Sequence, residues 1–116
     1  MYALKVTTMS RSSARKPIHP GVVFKSDVLV PLGLSVTSAA KAMGISRKHL
    51  SLFVNGRATC GKELALRIAT ATGTSAISWL TMQNRYDVWE IEHSDDRDLE
   101  SIRPLSEIAT LEGFPK

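Results

Sequence analysis

The sequence predicts an all-α protein of five helices flanked by two charged tails. Apolar residues recur at helical spacing in five segments between positions 20 and 92, and glycine or proline lies between most of these segments. No stretch in this range alternates apolar and polar residues for long enough to predict a strand. With 116 residues and 43% hydrophobic content, the chain can build one modest core. We therefore expect a single folded domain over residues 18–92.

The first helix is predicted over residues 21–30, after a His-Pro-Gly sequence at positions 19–21. Pro20 suits the first turn of a helix, because its missing N–H is not needed there. Pro31 and Gly33 are expected to stop the helix at its other end.

A second helix is predicted from a Ser35 cap through Met43, since a serine hydroxyl can accept a backbone N–H bond at a helix start. Ala39 and Ala40 fall on its inward face and are small enough to let two helices approach closely. Gly44 then supplies the left-handed conformation that ends this helix.

The third helix is predicted over residues 47–54, with Ser46 as its cap and a cationic first turn. Helical spacing separates an apolar side, formed by Leu50, Phe53 and Val54, from a polar side, formed by Arg47, Lys48, Ser51 and Asn55.

Two further helices are predicted over residues 62–72 and 75–92, with Gly73 between them. Gly61 occupies the cap position of the fourth helix, where Ser, Thr or Asp would cap better. The fifth helix carries more large apolar surface than a monomer of this size usually leaves on one terminal helix.

The two tails have opposite charge. Residues 1–20 contain four basic residues and no acid, whereas residues 93–116 contain six acidic residues and three basic ones. We interpret residues 1–17 as a mobile basic arm and residues 93–116 as an acidic tail, with at most a short element around residues 106–111. Basic segments suit phosphate and acidic ones suit cationic protein surfaces, although solvated tails of either sign are equally common.

Composition also narrows the function classes. Cys60 is the single cysteine, which excludes an intramolecular disulfide and suits a reducing compartment. His19, His49 and His93 are far apart and lack carboxylates at ligand or relay spacing, so we predict no catalytic, metal or cofactor site. No apolar run of about 18 residues and no signal peptide is present, and we expect a cytoplasmic protein.

The turn at Gly44 and the cationic helix after it predict a helix-turn-helix that reads DNA. In this motif the second helix enters the major groove, and its N-terminal residues reach base edges. Arg47 is the predicted principal base reader, because its guanidinium can donate two bonds to guanine. Lys48 suits a phosphate as well as a base.

Phosphate contacts are expected on both sides of the groove. The complete set of predicted DNA-binding residues is Ser35, Thr37, Ser46, Arg47, Lys48, Ser51, Asn55 and Arg57. Arg67 on the fourth helix is assigned instead to a structural pair with Glu63, four residues earlier.

Residues 18–92 resemble the Cro-type helix-turn-helix antitoxins of the HigA (VapI-like) family, which have a lambda-repressor-like fold. The resemblance rests on four pieces in order: the His-Pro-Gly opening, the sequence SVTSAAKAMGISRKHLSLFVNGR at positions 35–57, ALRIA at positions 65–69, and an aromatic helix with Trp79–Leu80, Gln83 and YDVW at positions 86–89.

The resemblance implies a dimer that binds a palindromic operator in its own promoter and neutralises an mRNA-cleaving toxin of the RelE-like (HigB) type. It also implies a dimer interface on the fifth helix, which we assign to Trp79, Leu80, Gln83, Tyr86 and Trp89. A core position remains the alternative for most of these, and for Trp79 in particular.

Two other functions fit the same sequence. One is a stand-alone helix-turn-helix transcriptional regulator without a toxin partner. The other is a protein-interaction module whose acidic tail binds a basic partner.

Overall fold

The computed structural model describes residues 15–94 and 99–112, which form six helices. The helices are α1 (Pro20–Leu32), α2 (Val36–Met43), α3 (Arg47–Val54), α4 (Lys62–Thr72), α5 (Ala76–Glu92) and α6 (Leu105–Glu112). Neither described range contains a strand, and the all-α prediction is confirmed. The sixth helix is the short element predicted near residues 106–111, while the rest of both predicted tails lies largely outside the described residues.

Helix α1 is longer than predicted and contains one wide turn. Lys25–Leu29 is a π-helical turn, in which the Val30 N–H donates to the Lys25 carbonyl oxygen. The prediction that Pro31 stops the helix is wrong, because α1 continues to Leu32 and ends at Gly33. A proline inside a helix lacks an N–H and crowds the carbonyl four residues earlier. The wide turn directly before Pro31 gives that ring the room it needs.

Serine hydroxyls cap both helices of the predicted helix-turn-helix. The Ser35 hydroxyl oxygen accepts the Ser38 N–H at 3.0 Å, and the Ser46 hydroxyl oxygen accepts the His49 N–H at 3.0 Å. Both predicted caps are therefore confirmed, and they set where α2 and α3 begin. Gly61 makes no side-chain cap bond at the start of α4.

The core lies where α1, α3, α4 and α5 meet. The Phe24 ring centroid lies 6.2 Å from that of Phe53 and 6.0 Å from that of Trp79, so aromatic residues of α1, α3 and α5 join in one cluster. Leu50 and Ile68 are fully buried beside them. Among the described residues no single helix is long and apolar enough to span a membrane, and only the pair α1 and α2, bent by 102°, passes that test jointly.

Gly21 lets α1 approach the backbone of α3 directly. A Cβ atom at Gly21 would lie 1.6 Å from the Phe53 carbonyl oxygen, so this contact requires glycine. His19 caps α1, since its Nδ1 accepts the Gly21 N–H at 2.9 Å. Its buried ring also packs edge-on against the rings of Phe53 and Tyr86. The His-Pro-Gly sequence therefore packs the start of α1 against α3 and, through the His19 ring, against α5.

Candidate nucleic-acid interface

Helices α2 and α3 form the predicted helix-turn-helix. Gly44 has φ 71°, and the Ile45 N–H donates to the Ala40 carbonyl oxygen at 3.0 Å, which closes α2 and turns the chain toward α3. The apolar side of α3 is buried through Leu50, Phe53 and Val54. Its polar side therefore faces solvent along the whole helix.

Arg47 is held in place by a contact that the sequence analysis did not anticipate. Its Nε donates to the Thr37 hydroxyl oxygen at 3.0 Å, which links the first turn of α3 to the first turn of α2. This bond uses Nε and not the two terminal guanidinium nitrogens of Arg47. Thr37, predicted as a phosphate contact, is thus also the residue that orients the predicted base reader, and its hydroxyl proton can still donate to an oxygen.

The other predicted DNA-binding residues surround this pair. Asn55 Nδ2 donates to the Ser51 carbonyl oxygen at 2.8 Å, so the Asn55 side chain folds back over the end of α3. Ser51 is half-buried, and the remaining seven residues of the predicted set are exposed: Ser35, Thr37, Ser46, Arg47, Lys48, Asn55 and Arg57. The surface combines three cationic side chains with the N-terminal ends of two helices.

Arg67 of α4 stabilises the turn between α2 and α3. Its Nη2 lies 3.0 Å from the Glu63 carboxylate, as the spacing of four residues predicts. Its Nη1 donates to the Met43 carbonyl oxygen at 2.9 Å, a contact across 24 residues that sequence spacing could not reveal. A Cβ at Gly44 would lie 2.9 Å from the same Nη1. Arg67 thus satisfies a carbonyl at the end of α2 and fixes the geometry of the turn.

The buried titratable groups of the domain are structural. Burial lowers the pKa of His19 below its usual 6.5, which favours the neutral ring that accepts the Gly21 N–H. Burial raises the pKa of the Cys60 thiol to about 11, so it remains protonated at neutral pH. Within residues 15–94 and 99–112, no group of three or more His, Cys, Asp or Glu side chains is placed to hold a metal ion.

Two residues assigned to the dimer interface belong to the interior instead. Trp79 is buried and its Nε1 donates to the Thr74 hydroxyl oxygen at 2.8 Å. Gln83 is also buried, where its Oε1 accepts the Cys60 N–H at 2.8 Å and its Nε2 donates to Asp87. The interface assignment is corrected for Trp79 and Gln83, because their apolar surface and polar atoms are already used within one chain.

The remaining predicted interface residues are half-buried, and the chain before α1 lies against two of them. Lys16 Nζ lies 2.7 Å from the Glu90 carboxylate and over the rings of Tyr86 and Trp89. Lys16, near the end of the arm predicted over residues 1–17, thus contacts α5, while residues 1–14 of that arm lie outside the described residues. Leu80 packs at the edge of the core.

The buried framework and the exposed cationic start of α3 define a helix-turn-helix protein, and the helix-turn-helix family matches residues 27–79. This chain belongs to the HigA (VapI-like) antitoxin family within that class.

Three relatives illustrate the similarity. Virulence-associated protein I of Dichelobacter nodosus is 35% identical over 89 residues, which cover 77% of this chain and 82% of that protein. Antitoxin HigA-1 of Vibrio cholerae is 28% identical over 95 residues, which cover 82% of this chain and 90% of that protein. A solved structure of a HigA-family addiction module antidote protein from Coxiella burnetii superposes with a TM-score of 0.66 at 26% identity and covers 78% of this chain and 99% of that one.

Proposed function

We propose that this chain is the antitoxin of a toxin–antitoxin pair. It binds double-stranded operator DNA as a homodimer, represses its own operon and neutralises an mRNA-cleaving, RelE-like toxin. The observation that carries the DNA-binding part is the orientation of Arg47 by Thr37 at the exposed start of α3. The antitoxin part is supported by relatives that are named an antitoxin and an antidote protein.

The base contact follows from the donors that Arg47 keeps available. In a helix-turn-helix the N-terminal residues of the second helix reach base edges in the major groove. The Thr37 contact uses Nε, which leaves both terminal nitrogens to donate to O6 and N7 of one guanine. Lys48, one residue further along α3, adds a point charge for a base or a phosphate.

Phosphate contacts lie on both sides of this centre. Ser35 and Thr37 stand at the start of α2, where backbone N–H groups favour an anion. Asn55 and Arg57 follow the end of α3. These contacts set the register on the duplex and the salt dependence, while Arg47 sets sequence preference.

The homodimer is assigned to the outer side of α5. Leu80, Tyr86 and Trp89 are half-buried there, and Ile77 and Val88 are 72% and 42% exposed. Pairing two copies of one helix buries the same patch twice, as a two-fold interface requires. Such a dimer places its two α3 helices one turn of DNA apart, about 34–36 Å.

The toxin contact is assigned to the acidic C-terminal segment. Helix α6 exposes Leu105 and Leu111 beside Glu107 and Glu112, so it offers both apolar and negatively charged surface. A basic RNA-cleaving partner would be attracted by this charge, mainly through a faster association rate.

Substitution of Arg47 tests the DNA-binding part. In a gel-shift titration on the duplex upstream of its own gene, Arg47→Ala should weaken specific binding by about 1–3 kcal/mol. Arg85→Ala, which removes the same exposed side chain from α5, is the matched control and should bind as the parent does. Equal affinity of Arg47→Ala and the parent protein would contradict the assignment of Arg47.

Co-expression tests the antitoxin part. The product of the adjacent open reading frame should arrest growth alone and be neutralised by this protein. A chain shortened to end at Glu92 should neutralise less, and full retention would remove the acidic segment from the toxin contact. Operator binding without any neutralisation would instead identify a stand-alone transcriptional regulator.

A further inference from the structure

The Lys16 ammonium occupies a site on α5 that is separate from the predicted DNA-binding residues of α2 and α3. The Lys16 ammonium lies 2.7 Å from a Glu90 carboxylate oxygen, 5.2 Å from the Tyr86 ring centroid and 5.5 Å from the Trp89 ring centroid. Tyr86, Trp89 and Glu90 follow at helical spacing, so they form one side of α5. The His93 ring stacks on the Trp89 ring, with the two centroids 3.7 Å apart.

The contact between Lys16 and Glu90 is an exposed one that other ions can replace. The two side chains are 47% and 46% exposed. The Glu90 carboxylate raises the pKa of Lys16, and the Lys16 ammonium lowers the pKa of Glu90, so both groups are charged at neutral pH. Exposed pairs are weak and are screened by salt, and a phosphate is an equally good acceptor for an ammonium group.

Lys16 also lies at the start of the folded domain, three residues before a histidine that contacts the loop after α3. His19, three residues later, packs on the loop after α3, where a Cβ at Gly56 would lie 3.8 Å from the His19 ring. Asn55 and Arg57 flank that glycine. The chain from Arg15 to His19 therefore runs between this loop and α5. All four charged residues in the first 20 positions of the sequence are basic.

We propose that Lys16, with Arg15 beside it, is a further phosphate contact for DNA, and that Glu90 competes with DNA for the Lys16 ammonium. Binding exchanges the carboxylate for a phosphate oxygen, with no covalent change. Glu90 thereby limits sequence-independent binding at the base of the basic arm and leaves specific recognition to Arg47. This inference rests on the proposed DNA-binding function.

A double-mutant cycle on the full chain tests the exchange. The proteins are the parent, Glu90→Gln, Lys16→Ala and the double variant, and the probe is a labelled duplex of random sequence titrated by anisotropy at several salt concentrations. Glu92→Gln is the matched control, because it removes the same charge from the same helix two residues away.

If Glu90 competes with DNA for Lys16, substitution of Glu90 should change the affinity for the duplex only when Lys16 is present. Relative to Glu92→Gln, Glu90→Gln should bind more tightly, because DNA no longer has to displace a carboxylate from Lys16. In the Glu90→Gln background, Lys16→Ala should flatten the slope of log affinity against log salt by about 0.9, the value for one lost phosphate contact. In the Lys16→Ala background, Glu90→Gln should have no more effect than Glu92→Gln.

Two results would overturn the inference while leaving the proposed function intact. One is equal affinity of Glu90→Gln and Glu92→Gln, and the other is tighter binding by Glu90→Gln that persists without Lys16. Absence of duplex binding by the parent protein would instead overturn the DNA-binding function, and this inference with it.

Discussion

Helices α3 and α5 both carry polar residues among apolar ones, but they use them differently. On α5, Trp79 and Gln83 are buried, and their polar atoms bond to groups of the same chain. On α3, Arg47 is exposed, and its one described bond orients the side chain without using its terminal nitrogens. The difference shows that the buried polar groups of α5 complete the fold, whereas α3 presents polar groups that remain available to a ligand.

The largest expected effect on stability comes from removing the Trp79 side chain of α5. Trp79→Ala should lower the free energy of unfolding by about 3–5 kcal/mol, because it leaves a cavity against Phe24 and orphans the Thr74 contact. Urea denaturation followed by circular dichroism measures this change. Leu66→Ala, on α4 at a residue that is 60% exposed, is the control and should change stability little. Similar losses for the two variants would contradict the structural role of Trp79.

An intermediate effect on stability is expected from protonation of His19, whose ring lies between α3 and α5. Its folded-state pKa is lowered, so below about pH 6.5 the unfolded chain binds more protons than the folded one, and stability falls as the pH falls. The contribution of His19 is fully present above that pH. Protonation also removes the acceptor for the Gly21 N–H.

Melting temperatures of the parent and His19→Asn at pH 7.5 and 5.5 check this dependence. Asparagine can still cap α1 but does not titrate, so the variant should lose less stability on acidification. His49→Asn, at an exposed histidine of α3, should follow the parent. A parallel acid loss in His19→Asn would assign the dependence to other groups.

The smallest effect on stability is expected at the contact that orients Arg47. Thr37→Val removes an exposed hydroxyl and should change the free energy of unfolding by less than about 0.5 kcal/mol. Specific operator affinity should nevertheless fall, by about 0.5–1.5 kcal/mol for one hydrogen bond. Anisotropy on specific and random duplexes separates the two effects. A loss that is equal on both duplexes would make Thr37 a phosphate contact alone.

The sequence determined the helices of the domain and the position of its helix-turn-helix. Apolar spacing, the Ser35 and Ser46 caps and the Gly44 turn are interactions within a few residues, so the sequence pattern expresses them directly. The Glu63–Arg67 pair was predictable for the same reason.

Only the tertiary structure decided which polar groups form hydrogen bonds or ion pairs with distant parts of the same chain. Gln83 bonds to Cys60 across 23 residues, Arg67 bonds to Met43 across 24, and Lys16 contacts Glu90, which lies near the other end of the domain's sequence. Helical spacing places a residue on a side of its own helix, but it does not state which helix lies opposite. The resemblance implied an interface position for Trp79 with the core as the alternative, and the packing of its ring against Phe24 of α1 places it in the core.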